Sequence, residues 1–349
     1  MVKGALRPRQ RIERLLEGKA VDRVPFCPAV YEHKAGLIGA TPAAMCRDAD
    51  LFERAIVREV EVYDPDMLVV GCDVYNVEAE AAGCEVSYPE SNDVPAVSGR
   101  VLRPGDDLSG LRLPDPLSDG RMPLHLEVGR RIQARFGRDR IVRGALTAPF
   151  SLACQLVEPQ DLLVAMVDRP EWVAGLLWIA AEICKSYGRA FAERGLGVIL
   201  FDSAAAPPMT SPALYRKFIL EPTAEVIRHF RRDLGIPLVP YIMGGNTGIL
   251  LEEILLTGTN NILCDYRADL AFFVERLRDE PVLLRANVSP AFLATQPGEA
   301  IKAKVRELLA VGRRQPRFLM GTGILPYDIA PEKVLAVREA LDEAASASA

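Results

Sequence analysis

The sequence has few features of a membrane, secreted or nucleic-acid-binding protein. No run of about 18 uninterrupted apolar residues occurs, so no membrane span is predicted. The N-terminal stretch MVKGALRPRQRIERLLEGKAVDRVP lacks the hydrophobic core of a secretion signal. The 42 Lys and Arg residues are scattered and the net charge is −5, so no basic surface for nucleic acid is predicted.

Cysteine and histidine are also scarce. The seven cysteines are dispersed, odd in number and without a C-x-x-C pair, which favours reduced thiols in a cytoplasmic protein over a disulfide framework. Cys72 and Cys264 end apolar stretches, where a thiol usually serves as a small hydrophobe. Of the three histidines, His125 and His229 fall on predicted helices and are expected at the surface or in packing. His33 follows the first predicted strand, which makes it a candidate for a substrate or metal contact.

What the sequence does contain is a repeated alternation of apolar strands and amphipathic helices. Eight strand-then-helix units in series predict an α/β fold, a (β/α)8 TIM barrel, within a single domain of residues 1–349. An open doubly wound sheet is the alternative. A helix over 9–16 precedes the first strand as an N-terminal extension. The predicted strands are 24–31, 67–72, 140–146, 197–201, 236–242, 261–264, 282–287 and 317–320.

The alternation is interrupted between residues 83 and 123. Proline, glycine and aspartate dominate this segment, and short strands are predicted at 85–88 and 96–102. Such a hairpin-and-loop insertion after the second strand is expected to form a lid over one end of the barrel.

The stretch 197–227 shows most clearly how a site follows from this pattern. Val198 to Phe201 indicate a strand buried on both faces, and Asp202 and Ser203 follow at its C-terminal end. A polar pair in this place is typical of the active sites of α/β enzymes. The alternative is that Asp202 only accepts backbone N–H bonds and holds the loop.

Polar residues also follow the other predicted strands. In a (β/α)8 barrel these strand ends meet at one rim, where active sites lie. Neighbouring or buried carboxyl groups have raised pKa values, so one is expected to act as a general acid, the alternative for each being a cap on the next helix. The candidates for catalysis are Asp202, Asp73, Tyr241 and His33. The candidates for substrate binding are Tyr31, Glu32, Asn76, Glu78, Ser203, Asn246, Asp265, Asn287 and Thr322, and no metal ligand is assigned.

Several segments together resemble one superfamily. They are RIERLLEGKAVDRVP (11–25), CDVYNVEAEAAG (72–83), GALTAPFSL (144–152), FDSAAAPPMTSPALYRKFILEP (201–222), NVSP (287–290), and the stretches 241–246 and 321–331. Over nearly the whole chain they are similar to uroporphyrinogen decarboxylases and to cobalamin-linked, often zinc-dependent methyltransferases. The resemblance implies a barrel enzyme.

The decarboxylase pattern is only partly present. Asp73 matches the catalytic aspartate of that branch, and Ser203 matches a substrate-contacting serine. The loop YEHKAG at 31–36 lacks the arginines that hold the substrate carboxylates there, and its Glu32 would repel a polycarboxylate. Thr322 stands at the position of a late histidine of the family.

The methyltransferase branch is more similar in the N-terminal stretch and at 77–80. Its zinc ligands are a His-x-Cys after strand five and a later Cys, and these positions are Tyr241, Met243 and Thr322 here. The resemblance therefore implies that zinc is not bound in that form. The alternative is a site rebuilt from His33, Glu78, Asp73 or Cys264.

The resemblance favours one function over two others. It implies methyl transfer between a small methylated substrate, such as a methyl ether, and a corrinoid carried by a separate protein. One alternative is a decarboxylase acting on a porphyrinogen or another carboxylate, and the other is a non-catalytic protein that binds a tetrapyrrole or a corrinoid partner. The expected partners are a small-molecule substrate and a corrinoid protein, with a homodimer as a further candidate.

Overall fold

Eight parallel strands form a nearly closed barrel in the computed structural model, which describes residues 6–347. This confirms the (β/α)8 fold, and all eight predicted barrel strands are present. The strands are β1 (Phe26–Ala29), β2 (Met67–Val70), β3 (Glu85–Ser87), β4 (Ala96–Gly99), β5 (Ile141–Thr147), β6 (Gly197–Phe201), β7 (Pro240–Ile242), β8 (Asn261–Cys264), β9 (Leu283–Val288) and β10 (Phe318–Ile324).

The barrel order is β1-β10-β9-β8-β7-β6-β5-β2, and β3 pairs with β4 in a separate antiparallel hairpin. The two end strands of the barrel, β1 and β2, approach each other at the N-terminal end. There the amide of Asp66 donates a 2.8 Å hydrogen bond to the carbonyl oxygen of Phe26. This contact brings the two edges of the sheet together.

Helices cover the outside of the barrel. They are α1 (Pro8–Leu16), α2 (His33–Gly36), α3 (Pro42–Met45), α4 (Ala49–Tyr63), α5 (Val77–Ala81), α6 (Met122–Phe136), α7 (Pro149–Leu156), α8 (Pro159–Asp168), α9 (Pro170–Ala192), α10 (Pro212–Leu214), α11 (Leu220–Arg228), α12 (Leu251–Leu256), α13 (Leu270–Leu277), α14 (Pro290–Thr295), α15 (Gly298–Gly312) and α16 (Pro331–Ser346). Because helices lie on one face of each strand and side chains fill the other, the barrel strands are apolar on both faces.

Three helical details differ from the sequence-based expectation. The sequence pattern predicts one helix over 212–234 after β6, and turns of π-helix at Tyr215–Ile219 and His229–Asp233 interrupt it. The pattern also predicts one helix over 297–311 after β9, and the separate helix α14 precedes it, since Ser289 caps a first turn that begins at Pro290. The loop after β1 contains α2, which was not predicted.

Two apolar clusters fill the barrel interior, one at each end. The N-terminal cluster includes Ile12 and Leu15 of α1 together with Leu283 and Leu319 of the strands. The helical extension predicted before the first strand is therefore the element that closes this end. The C-terminal cluster includes Tyr31 and Phe201, whose rings pack edge to face with centroids 5.6 Å apart.

No single helix within residues 6–347 is long and apolar enough to cross a membrane. The pair α7 and α8 reaches the required length and composition only when it is joined across a bend of 108°.

Candidate active site

A cavity of about 460 Å³ opens at the C-terminal ends of the barrel strands. Its volume is in the range of sites for small molecules, and its place is the one where barrel enzymes hold their active sites. Of the predicted site residues, Tyr31, Ser203, Asp265 and Asn287 line it. A larger cavity of about 600 Å³ lies at the opposite end, near α1. We assign the site to the smaller of these two cavities, because there the ends of several strands present polar side chains together.

The wall formed by Tyr75 and Ser203 contains a strained residue. Tyr75 has a backbone φ of 89°, which is unusual for any residue other than glycine. Its hydroxyl accepts a 3.4 Å hydrogen bond from the amide of Ser203. The hydroxyl of Ser203 accepts a 3.1 Å hydrogen bond from the amide of Gly244. Three loops therefore meet at Ser203, and they place two hydroxyl groups at the cavity.

Asp265 is the acidic residue of the cavity lining. It lies just beyond β8, is 6% exposed, and accepts a 3.1 Å hydrogen bond from the amide of Arg267. Burial raises its pKa above the ordinary value of an aspartate. Asp265 is therefore the cavity-lining residue with the properties of a general acid.

The floor of the cavity includes an arginine that sequence reasoning did not single out. Arg285 of β9 is 6% exposed, and its Nε donates a 3.0 Å hydrogen bond to Oδ1 of Asn287. Its Nη2 donates a 3.1 Å hydrogen bond to the carbonyl oxygen of Thr322. The sequence does contain a feature that could have identified Arg285, because it is the one charged residue in the buried strand LLRANV.

Asp202 and Tyr241, predicted to be catalytic, do not line the cavity. Asp202 is fully buried beyond β6, on the face of the strand that carries Leu200 toward the helices. Its Oδ1 accepts a 2.8 Å bond from the amide of Ser151 in the first turn of α7, and its Oδ2 accepts a 2.6 Å bond from the Tyr241 hydroxyl. These contacts correspond to the alternative reading, in which Asp202 holds local structure. Its catalytic role stays a prediction.

Asp73 is likewise engaged away from the cavity. Both of its oxygens lie 2.8–2.9 Å from the Arg121 guanidinium, and Asn76 donates to Oδ2 at 3.3 Å. Although burial acts in the opposite direction, Arg121 holds the pKa of Asp73 below its ordinary value. A carboxylate held ionised in this way lacks the proton that the predicted general acid needs.

Glu78 is hydrogen-bonded to the C-terminal residue of β5. Its two carboxylate oxygens accept hydrogen bonds from the amide and the hydroxyl of Thr147, at 2.6 Å and 2.8 Å. Glu78 is 2% exposed, and burial raises its pKa. Its contacts are those of a local cap, and its role in substrate binding stays a prediction.

His33 is the first residue of α2, and its ring lies between the loop after β10 and Tyr63 at the end of α4. Its Nδ1 lies 3.1 Å from the carbonyl oxygen of Pro326, so this nitrogen carries the proton. Nε2 then accepts a 2.6 Å hydrogen bond from the Tyr63 hydroxyl. Burial lowers the pKa of His33, which keeps the ring neutral. Both ring nitrogens are used in these contacts, and the substrate or metal contact of His33 stays a prediction.

The remaining predicted binding residues also lie off the cavity lining. The hydroxyl of Thr322 is buried and accepts a 3.1 Å hydrogen bond from the amide of Ala29. Asn246 is exposed and caps its own loop through the amide of Gly248. Burial raises the pKa of Glu32 to about 7, but its side chain contributes nothing to the cavity lining.

The other two histidines are packing residues, as expected. His125 is 2% exposed, and its ring packs edge to face on Phe52 with centroids 5.3 Å apart. His229 is 7% exposed and lies 2.9 Å from Asp233 on the same helical segment.

The side chains at the positions where the resemblance implies zinc ligands do not suit the metal. The Tyr241 hydroxyl is bonded to Asp202 and lies 3.0 Å from the Tyr215 hydroxyl, and the Thr322 hydroxyl is also occupied. Within the part of the chain that the structure describes, one cluster of three potential ligands occurs: Cys46, Cys72 and Asp73. The two sulfur atoms are 2.8 Å apart, and Arg121 already occupies both oxygens of Asp73.

The insertion at 83–123 packs beside α5 and α7. The amide of Leu102 donates a 3.0 Å hydrogen bond to the carbonyl oxygen of Leu156, and Asn76 donates to the carbonyl oxygen of Pro95. The predicted hairpin is present as β3 and β4. None of the residues in this insertion lines the cavity, so the lid function stays a prediction.

Comparison with known proteins gives a consistent family and two activities. A family model described as Uroporphyrinogen decarboxylase (URO-D) matches residues 7–344. Methylcobamide:CoM methyltransferase MtaA of Methanosarcina barkeri (strain Fusaro) is 24% identical over 338 residues, which are 95% of this chain and 97% of the relative. Uroporphyrinogen decarboxylase of Nitrosomonas europaea is 26% identical over 310 residues, 85% of this chain and 84% of the relative. A solved methyltransferase from Methanosarcina mazei shares the fold, with a TM-score of 0.87, 24% identity and coverage of 97% and 99%.

Proposed function

The chain belongs to the uroporphyrinogen decarboxylase family, and we propose that it transfers a methyl group between a small methylated compound and a corrinoid carried by a separate protein. The observation that carries the proposal is the composition of the cavity: one buried carboxyl group, Asp265, lies with hydroxyl groups and a single buried cation, Arg285. Its volume of about 460 Å³ suits a small substrate.

The residues of the cavity suggest how the chemistry is divided. Asp265, whose pKa is raised by burial, holds the proton that the leaving oxygen needs as its bond to the methyl group breaks. The hydroxyls of Tyr75 and Ser203, which also lie at the cavity, orient the substrate. Bound at the mouth, a cobalt(I) corrinoid would supply the electron pair that accepts the methyl group.

The mouth of the cavity is compatible with an approaching corrinoid protein. Two exposed apolar side chains, Tyr266 (37%) and Ile324 (46%), belong to the lining. Exposed apolar groups beside a cavity are typical of a surface that contacts a partner. Tyr266 and Ile324 would contact the corrinoid by packing.

Decarboxylation is the second candidate, because Ser203 lies in the cavity and decarboxylases are among the relatives. Two observations weigh against it. Among the described residues, the cavity lining has only Arg267 and Arg285 as cations, which is little for a polycarboxylate. The matched aspartate, Asp73, is bound to Arg121 outside the lining. A non-catalytic protein that binds a tetrapyrrole or a corrinoid partner is the remaining alternative.

A spectroscopic assay separates these functions. The purified protein is mixed with cob(I)alamin and, in turn, methyl ethers, methyl thioethers and methylamines, and the visible spectrum is followed for methylcobalamin. We expect one class to react in the wild type and not in Asp265→Asn. Carbon dioxide released from a porphyrinogen without any methyl transfer would contradict the proposal, as would binding of methylcobalamin without any turnover.

A further inference from the structure

Two arginines in the barrel interior, Arg143 and Arg285, carry a charge that no carboxylate within residues 6–347 neutralises. Among the described residues, five arginines are less than a tenth exposed: Arg11, Arg23, Arg121, Arg143 and Arg285. The first three form ion pairs with carboxylates, Arg11 and Arg23 with Asp66, and Arg121 with Asp73. Arg143 and Arg285 have no carboxylate within ion-pair distance in the described part of the chain.

Burying a cation without a counter-charge is costly, and the pKa values reflect that cost. Burial lowers the pKa of Arg285, and burial together with the charge of Arg285 lowers the pKa of Arg143 to about 10. The Nε of Arg143 is buried without a hydrogen-bond partner. An anionic ligand in the barrel interior would offset this cost.

Arg285 is the member of the pair that a ligand can reach. It belongs to the cavity lining, and its two hydrogen bonds use Nε and Nη2. The Nη1 group remains available, because a guanidinium has five N–H donors. A Cβ at Gly321 would lie 2.8 Å from Nε and Nη2, so the glycine leaves the space that this side chain occupies.

We infer that the ligand of this cavity is a small compound with one anionic group, a carboxylate, sulfonate or phosphonate, which Arg285 binds at the floor. This inference rests on the proposed function for the place of the reaction, and it adds the class of substrate. Arg143 strengthens the positive potential below the floor without touching the ligand. Arg285 is the one buried cation of the cavity lining among the described residues, so it can neutralise one anionic group and not the several charges of a polycarboxylate.

Strand register sets the length of such a compound. Arg285 pairs with Leu263 on β8, and Asp265 lies two residues beyond Leu263 toward the mouth. At about 3.3 Å per residue, the Cα of Asp265 lies about 6.6 Å above the Cα of Arg285, and the guanidinium extends toward the same end of the barrel, since its donors bond Asn287 and the carbonyl oxygen of Thr322. A ligand held at Arg285 therefore reaches Asp265 when only a few bonds separate its anionic group from its leaving heteroatom.

Binding measurements without any methyl acceptor test this inference. Methoxyacetate and 2-methoxyethanesulfonate are the anionic probes, and 2-methoxyethanol is the neutral one. Affinities are measured by calorimetry and by the shift of the unfolding temperature of the full chain. We expect the wild type to prefer the anionic probes, and Arg285→Met to lose about tenfold or more in affinity for them, as expected for hydrogen bonds to a charged group.

Arg23→Met is the matched control, since it removes a buried arginine that has a carboxylate partner at the other end of the barrel. It should lower the unfolding temperature yet keep the preference for anions. Equal affinity for anionic and neutral probes in the wild type would overturn the inference, even if Arg285→Met did not fold. If Arg285→Met still preferred the anionic probes over the neutral one, the inference would also be overturned. Because no corrinoid is present, these outcomes are separate from a failure of methyl transfer.

Discussion

The hydroxyl of Tyr241 donates a 2.6 Å hydrogen bond to Oδ2 of Asp202, behind the wall of the barrel. The other carboxylate oxygen holds the first turn of α7 through the amide of Ser151. Burial raises the pKa of Asp202 to about 6, despite these two donors. Asp202 is thus a buried group that joins β6, β7 and α7. Its ionisation should lower the stability of the fold.

Replacing Asp202 should change the dependence of stability on pH. The folded-state pKa, about 6, lies above the ordinary aspartate value of about 3.9, so folding favours the protonated form. Wild-type stability should therefore be fully present below about pH 4 and decrease as the pH rises toward 6. Asp202→Asn should lack this decrease. Unfolding temperatures at pH 4, 5, 6 and 7 measure it, and identical profiles would contradict the raised pKa.

Turnover should separate Asp265 from Asp202. Asp265→Asn should reduce methyl transfer by roughly 10²–10⁴-fold, the usual effect of losing a positioned proton donor. Because Asp265 must be protonated to act as an acid, wild-type turnover should fall as the pH rises through the raised pKa of Asp265. This decrease at higher pH should be missing in Asp265→Asn. The control is Asp202→Asn, whose side chain lies outside the cavity lining and should retain most activity. The reverse ranking would restore Asp202 as the central acid.

Tyr241→Phe should destabilise the protein without altering substrate affinity. The change leaves a buried carboxylate oxygen of Asp202 without a donor, which costs about 1–3 kcal/mol. Denaturant unfolding and KM for the substrate are the two measurements. Tyr215→Phe is the matched control, because the Tyr215 hydroxyl contacts Tyr241 at 3.0 Å but not the carboxylate, and it should cost less. An increase in KM in Tyr241→Phe would contradict the structural assignment.

The purified protein should hold well under one zinc per chain. The three family positions present a phenol, a thioether and a hydroxyl, and none of these is a ligand that zinc prefers. Elemental analysis without added metal, and activity in the presence of a chelator, measure this. One tightly bound zinc per chain would contradict the prediction. Its loss in Cys46→Ser would then assign it to the cluster of Cys46, Cys72 and Asp73.

The tip of the β3–β4 hairpin should affect the substrate more than the fold. Residues 89–94 are mostly exposed and lie between the two strands. If the insertion closes over the cavity when substrate binds, shortening this tip should raise KM while the unfolding temperature is unchanged. Hydrogen exchange measured with and without substrate gives the independent check. Exchange at the tip as slow as in the barrel strands would argue against a lid.

The fold could be predicted because its signals are local. Each strand of the barrel is a short apolar run between turns, and eight such runs alternate with helices, so their number and order determined the architecture. The helix that closes the N-terminal end and the hairpin insertion were predicted for the same reason. The sequence also located the cavity at the strand ends, and Tyr31, Ser203, Asp265 and Asn287 were identified in this way.

Only the tertiary structure decided which polar side chains face the cavity. Asp202 and Ser203 are adjacent just beyond β6, yet Asp202 bonds the first turn of α7 and Ser203 lines the cavity. Asp202 continues the alternation of β6 on the side of Leu200, whereas a short helical turn begins at Ser203. The direction of each side chain of a strand can be predicted from the sequence only when one face of the strand is polar and the other apolar. In a barrel both faces of β6 are apolar, so the sequence determined where the strand ends, and its packing between helices and interior determined which residue is offered to a substrate.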